Sequence, residues 1–171
     1  WHNIKGEETI YPGEHLSNLI NQDGESTSVR LITRSDMSTN GKLNGGLMSP
    51  SGKDLGELAV SSATVDYLFG YKLPGAITIN GLRPDTEYSL KIFSSRADSE
   101  ERITRFYIPQ GNETLFKDIQ TSGLTDTVSG GNENNLLQFQ NVSADQGGAI
   151  HLDMLPIKGD FTYLNAFVLT R

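Results

Sequence analysis

The sequence has no cysteine, no long apolar run and no cluster of lysine and arginine residues. Without cysteine, the fold has no disulfide bonds and the protein has no thiolate nucleophile. No run approaches the ~20 apolar residues of a membrane-spanning helix, so we expect no membrane partner. The formal net charge is −7, which also disfavours nucleic acid, because phosphate backbones bind basic surfaces.

The chain of 171 residues begins at Trp1 and shows no signal peptide. We interpret it as a piece processed or excised from a larger multidomain protein. Its length suits one domain, and no internal repeat or low-complexity linker divides it. We therefore expect residues 1–171 to form a single domain.

Glycine is abundant, and turn-forming residues separate short runs in which apolar and polar residues alternate. The longest helix-compatible stretch, 54–69, has no sustained helical periodicity and predicts only a short helical turn. Eight short strands with such gaps are typical of an antiparallel sandwich or barrel. We predict an all-β antiparallel sandwich of jelly-roll type with strands at 28–34, 76–80, 87–96, 102–109, 114–120, 136–142, 149–155 and 161–170.

The segments 87–96 and 102–109 are separated by only five residues, which is a hairpin-sized gap. We predict that they pair, with Arg96 opposite Arg102. In this register one face is a core face and carries Leu90, Ile92 and Ser94 opposite Ile108, Phe106 and Thr104. The other face is mixed and carries Lys91, Phe93 and Ser95 opposite Tyr107, Arg105 and Ile103.

Two arginines opposed across strands repel each other, so Arg96 and Arg102 need an accepting partner between them. The nearest candidates are the loop carboxylates of Asp98, Glu100 and Glu101, since a carboxylate can accept two arginine hydrogen bonds. The alternative is that at least one of the two arginines binds a ligand. The sequence leaves both interpretations open.

The mixed face is hard to explain as core, because two cations would be buried without partners. Sugars present flat C–H faces that stack on aromatic rings, and their hydroxyl groups need charged and amide side chains in fixed directions. The face is therefore either a sugar-binding surface or an ordinary solvated one. A second alternating aromatic segment, with Tyr67, Phe69 and Tyr71, is either a packed edge strand or an exposed aromatic lip.

A series of motifs runs through the second half of the chain: Gly-Leu-x-Pro, Tyr, Ser-Arg, Arg-x-Thr-x-x-Tyr and finally Tyr-Leu-Asn. The matching positions are Gly81, Leu82, Pro84, Tyr88, Ser95, Arg96, Arg102, Thr104, Tyr107, Tyr163, Leu164 and Asn165. This order, with the opening Trp1-His2-Asn3, resembles galactose-binding-like β-sandwich modules. Such modules accompany esterases and glycoside hydrolases in bacterial polysaccharide degradation. The resemblance implies carbohydrate binding by a secreted, periplasmic or cell-surface protein, with a catalytic domain in the same polypeptide.

Motifs for catalysis are absent from the sequence. The three histidines show no metal-binding spacing, and there is no Gly-x-Ser-x-Gly nucleophile motif. Adjacent carboxylates lie in polar segments, where they are typical of solvated surface. We expect no enzymatic activity, no cofactor and no bound metal.

These observations predict a non-catalytic carbohydrate-binding module that targets a partner enzyme to a polysaccharide or oligosaccharide. The alternative is a structural or interaction domain that braces a neighbouring esterase or glycosidase domain. The predicted ligand-binding residues are Lys91, Phe93, Arg105, Tyr107, Arg96, Arg102, Tyr67, Tyr71 and Trp1.

Overall fold

The structure, a computed structural model, describes residues 9–13, 15–40 and 45–171, and for His15 and Asn40 it describes the backbone alone. Trp1, one of the predicted ligand-binding residues, lies outside this part of the chain. Of the described residues, 49% lie in strands and 7% in helices, and the sheets are antiparallel. The predicted all-β antiparallel sandwich is confirmed. In the same residues, no helix is long and apolar enough to cross a membrane.

The described residues form thirteen strands and three short helical turns. The helical turns are α1 (Gly52–Leu55), a 3₁₀ turn (Gly56–Leu58) and α2 (Ser61–Thr64). The strands are β1 (Thr9–Ile10), β2 (His15–Leu16), β3 (Arg30–Thr33), β4 (Met37–Asn40), β5 (Tyr67–Tyr71), β6 (Gly75–Asn80), β7 (Glu87–Phe93), β8 (Arg102–Gln110), β9 (Glu113–Ser122), β10 (Leu137–Ser143), β11 (Ala149–Lys158), β12 (Phe161–Leu164) and β13 (Ala166–Thr170).

The strands form three sheets, which share one core. The largest sheet has the order β2-β3-β6-β11-β8-β9, and the two smaller sheets have the orders β1-β4-β5-β12 and β10-β7-β13. Only Asn165 separates β12 from β13, so the chain passes directly from the four-stranded sheet into the three-stranded one. All three sheets contribute side chains to the main apolar cluster, for example Ile77, Leu90 and Leu164.

The pairing predicted for β7 and β8 is wrong, although the predicted inward faces are right. β7 pairs with β10 and β13, whereas β8 pairs with β9 and β11 in the six-stranded sheet. The connecting residues cross between the sheets because their amides bind other segments: Ser95 donates to the Asn165 side chain and Arg96 to the Thr121 carbonyl. Leu90 and Phe106 still face the core, because side chains alternate between the two faces of a strand whichever strand it pairs with.

A second apolar cluster covers the outer face of β7. Leu55, Leu58 and Ala63 from the helical turns pack there with Phe93. Phe93 is 0% exposed, so its predicted role in ligand binding is wrong. Lys91, two residues earlier on the same face, donates a 2.7 Å hydrogen bond to Glu57 of the 3₁₀ turn. The helical segment therefore occupies the surface that the predicted hairpin left open.

Candidate functional site

The outward face of the six-stranded sheet brings charged and aromatic side chains together. Tyr107 of β8 lies directly between Phe116 of β9 and Asp153 of β11 in the strand register. Arg105, two residues earlier on β8, lies opposite Asp118 in the same way. We define the open sheet face as the surface formed by Arg34, Arg105, Tyr107, Phe116, Asp118, His151 and Asp153.

A bidentate ion pair fixes one end of the open sheet face. Arg105 donates from Nε to Asp118 Oδ1 at 2.7 Å and from Nη2 to Asp118 Oδ2 at 2.8 Å. The guanidinium also lies 4.8 Å from the centre of the Phe116 ring. The hydrogen bond from Arg105 holds the pKa of Asp118 below its usual value, so this carboxylate is ionised at neutral pH. Both charged side chains are more than one-third exposed and remain accessible to a ligand.

A second ion pair lies on the other side of Tyr107. Arg34 donates to Asp153, and the guanidinium also reaches the Ile77 carbonyl at 3.4 Å. Partial burial raises the pKa of Tyr107, and the nearby Asp153 charge raises it further, while Arg34 opposes the shift. The Tyr107 hydroxyl is therefore protonated at neutral pH and can both donate and accept a hydrogen bond.

His151 forms a polar corner of the same face on β11. Its Nδ1 lies 2.9 Å from the Thr78 hydroxyl, and its Nε2 lies 3.7 Å from a carboxylate oxygen of Asp145. The Thr78 contact fixes the orientation of the ring, and the His151 side chain is 40% exposed. The open sheet face thus presents aromatic rings together with oriented donors and acceptors.

The remaining predicted residues meet on the four-stranded sheet. The register of β5 and β12 places Phe161 opposite Tyr71 and Tyr163 opposite Phe69, on one face. Neighbouring ring centres in this group lie 4.8 to 6.5 Å apart. We define the arginine–aromatic cluster by Arg96, Arg102, Tyr67, Phe69, Tyr71, Phe161 and Tyr163.

Arg102 is the most enclosed cation of this cluster, with its side chain 9% exposed. Its Nε and Nη2 donate to Glu100 at 3.0 and 2.6 Å, and Nη2 lies 3.1 Å from Asp98. A further donor reaches the Tyr163 hydroxyl, and the guanidinium lies 4.6 Å from the centre of the Phe161 ring. The prediction that loop carboxylates hold an arginine is confirmed for Arg102.

Arg96 reaches the same cluster from another direction. Its Nη1 donates a 2.7 Å hydrogen bond to the Tyr67 hydroxyl, and its guanidinium lies 5.8 Å from the centre of that ring. Gly45 leaves room for the arginine, because a Cβ at this position would lie 2.0 Å from Nη1. The predicted placement of Arg96 opposite Arg102 in a hairpin is wrong. Both arginines instead pack on the β5–β12 aromatic rings.

The predicted site residues therefore divide among three places. Lys91 and Phe93 lie at the helical segment, while Arg105 and Tyr107 lie on the open sheet face. The other four described residues, Arg96, Arg102, Tyr67 and Tyr71, lie in the arginine–aromatic cluster. Sequence reasoning missed Phe116, Asp118, Arg34 and Asp153. Phe116 and Asp118 alternate within a predicted strand, so the sequence could have shown that they share one face. It gives no sign of which residues on other strands lie beside them.

The described residues contain no group of three or more acidic or histidine side chains arranged to hold a metal ion. The expectation that the domain binds no metal stays a prediction. What the open sheet face offers is stacking and hydrogen bonding, which are the requirements of reversible recognition.

Tyr163 should ionise late in an alkaline titration. It is 2% exposed, and burial raises its pKa from 10.0 to about 12, outweighing the opposing effect of Arg102. Between those values the unfolded chain loses this proton and the folded chain keeps it, so stability should fall as pH rises. The slope for one such group is about 1.4 kcal/mol per pH unit.

Tyrosinate absorbance and urea unfolding at alkaline pH measure this effect. Tyr163→Phe should remove this late-titrating tyrosine and flatten the alkaline loss of stability. An unchanged absorbance titration in the Tyr163→Phe variant would contradict the assignment.

The sequence matches no protein-family profile and no curated protein. Among solved structures, TmCBM61, determined in complex with β-1,4-galactotriose, is 11% identical, with a TM-score of 0.42 over 79% of this chain and 86% of that chain. A family 16 carbohydrate-binding module is 10% identical, with a TM-score of 0.33 over 63% of this chain and 77% of that chain. With TM-scores this low, neither similarity assigns a fold or a ligand to this chain.

Proposed function

We propose that this protein is a non-catalytic carbohydrate-binding domain and that the open sheet face binds the glycan. The observation that carries the proposal is the adjacent pair Phe116 and Tyr107 between two arginine–aspartate pairs. Phe116 is 60% exposed on a strand, where an exposed aromatic ring contributes nothing to the core. A sugar ring stacked on it would cover that apolar surface.

The polar groups around the rings are of the kinds that bind sugar hydroxyls. Arg105 and Asp118 hold each other in a fixed bidentate geometry, so both are oriented before a ligand arrives. This reduces the ordering cost of binding, because fewer side chains lose rotamer freedom in the complex. A broad sheet face also suits an extended chain of sugar units better than a small enclosed ligand.

The wider role follows from the resemblance of the sequence motifs to galactose-binding-like modules. In this proposal the domain belongs to a longer bacterial protein that is secreted, periplasmic or attached to the cell surface. It raises the local concentration of a catalytic domain on a polysaccharide. The structural alternative, a domain that only braces a neighbouring enzyme, needs no accessible aromatic pair and predicts no glycan affinity.

Titration calorimetry and affinity electrophoresis on a panel of plant, algal and host glycans test the proposal. We expect saturable binding that soluble oligosaccharides compete. Phe116→Ala and Tyr107→Ala should each weaken it by ~1–2 kcal/mol, the scale of one stacking aromatic, which is about 5- to 30-fold in affinity.

Tyr71→Ala is the matched control, because Tyr71 is 51% exposed but lies in the arginine–aromatic cluster. It should leave affinity unchanged. If Tyr71→Ala removes binding while Phe116→Ala does not, the glycan site is the cluster and not the open sheet face. A folded protein that binds no glycan in the panel supports the bracing role instead.

A further inference from the structure

We infer that the open sheet face selects uncharged glycans and discriminates against uronic-acid and sulfated chains. The inference rests on the proposed function and adds the chemical class of the ligand. It follows from the way in which the cations beside the aromatic pair are already neutralised.

Each arginine next to Tyr107 and Phe116 is bound to an aspartate of this chain. Arg105 makes two hydrogen bonds to Asp118, and Arg34 bonds to Asp153. A ligand carboxylate or sulfate would have to displace one of these aspartates or lie beside its charge. Both routes are unfavourable, because the bidentate geometry is already filled and like charges repel at short range.

The unused hydrogen-bonding capacity of the pairs suits hydroxyl groups. Arg105 has five N–H donors, of which Nε and one on Nη2 face Asp118, so the others can bind a ligand. Each Asp118 oxygen retains a second acceptor position. A sugar hydroxyl can donate to the aspartate and accept from the arginine at once, whereas a carboxylate or sulfate can only accept.

Two other cations lie near the face: Lys117, which lines a cleft at the edge of β9 together with Phe116, and Arg30 on β3. Lys117 points to the opposite side of β9, where its ammonium lies 5.9 Å from the centre of the Phe139 ring. Arg30 lies opposite Asn80 towards the far end of β3. The formal net charge of −7 adds a long-range repulsion against polyanions.

The test compares polymers that differ mainly in charge: β-1,4-galactan with polygalacturonate, and hydroxyethyl-cellulose with carboxymethyl-cellulose. We expect binding to at least one neutral polymer, with an affinity at least tenfold weaker for its anionic counterpart. Raising the salt concentration should reduce the difference in affinity between the neutral and the anionic polymer, because salt screens the repulsion between the protein and the polyanion.

Asp118→Asn should make Arg105 available to anions and raise affinity for the anionic polymer at least fivefold. Asp160→Asn is the matched control. Asp160 is paired with Lys72 at 3.9 Å, away from the open sheet face, and its replacement changes the net charge equally. Asp153→Asn provides a second variant beside Arg34, and circular dichroism checks that each variant is folded.

An anionic polymer bound as tightly as its neutral counterpart overturns the inference and leaves the proposed function standing. Equal gains for Asp118→Asn and Asp160→Asn also overturn it, because net charge would then explain the selectivity. Absence of binding to every polymer refutes the proposed function, and the inference with it. A gain confined to Asp118→Asn and Asp153→Asn supports the inference.

Discussion

Replacing Phe93 with alanine should lower the free energy of unfolding by about 3–5 kcal/mol, the usual cost of removing a fully buried phenylalanine. Phe93 is 0% exposed and packs with Leu55, Leu58 and Ala63 of the helical turns. Its removal leaves a cavity between β7 and those turns. The turns are too short to be stable alone, so they depend on this packing.

Urea unfolding followed by circular dichroism measures the loss. Phe116→Ala is the control, since it removes the same ring from an exposed position and should change stability by less than about 1 kcal/mol. Glycan affinity should show the opposite pattern. The Phe116→Ala variant should bind glycan more weakly, and the Phe93→Ala variant, where it folds, should bind with unchanged affinity. A Phe93→Ala variant of normal stability and lost affinity would mean that the helical turns do not cover β7.

The inward faces of β7 and β8 could be predicted from the sequence, while the pairing of the two strands could not. Alternation of apolar residues decides which side of a strand is buried, and Leu90 and Phe106 follow it. A five-residue connection fits either a hairpin or a crossing between facing sheets. The choice depends on distant partners such as Asn165 and Thr121, which bind the connecting amides.

The difference between contacts that are close in sequence and contacts that are far apart in sequence also explains which site residues were predicted and which were missed. Glu100 is two residues from Arg102, so their contact was predictable from the loop composition. Asp118 is 13 residues from Arg105, and Asp153 is 119 residues from Arg34. The first pair forms because β9 lies beside β8, and the second because β3 and β11 lie on either side of β6 in the six-stranded sheet. Phe93 is likewise covered by the helical turns, and their sequence has no periodicity from which this packing could be predicted.

Replacing Arg102 with alanine should destabilise the protein by about 2–4 kcal/mol, because the change leaves several polar groups without their partner. Its side chain is 9% exposed and bonds to Asp98, Glu100 and the Tyr163 hydroxyl. The two carboxylates are more exposed and regain water. Tyr163 is buried, so its hydroxyl is left unsatisfied, and the stacking of the guanidinium on Phe161 is lost as well.

Arg102→Lys should recover only part of the loss, because one ammonium group cannot reproduce the directed contacts of a guanidinium. Tyr163→Phe should cost less in the Arg102→Ala background than in the original protein, because the hydroxyl that it removes has already lost its bond to Arg102. Urea unfolding of the original protein, the two single variants Arg102→Ala and Tyr163→Phe, and the double variant measures the coupling energy.

If Arg102→Ala is instead as stable as the original protein but no longer binds glycan, the contacts between Arg102 and the carboxylates do not stabilise the fold. The arginine–aromatic cluster is then the ligand site, and the open sheet face is ordinary solvated surface.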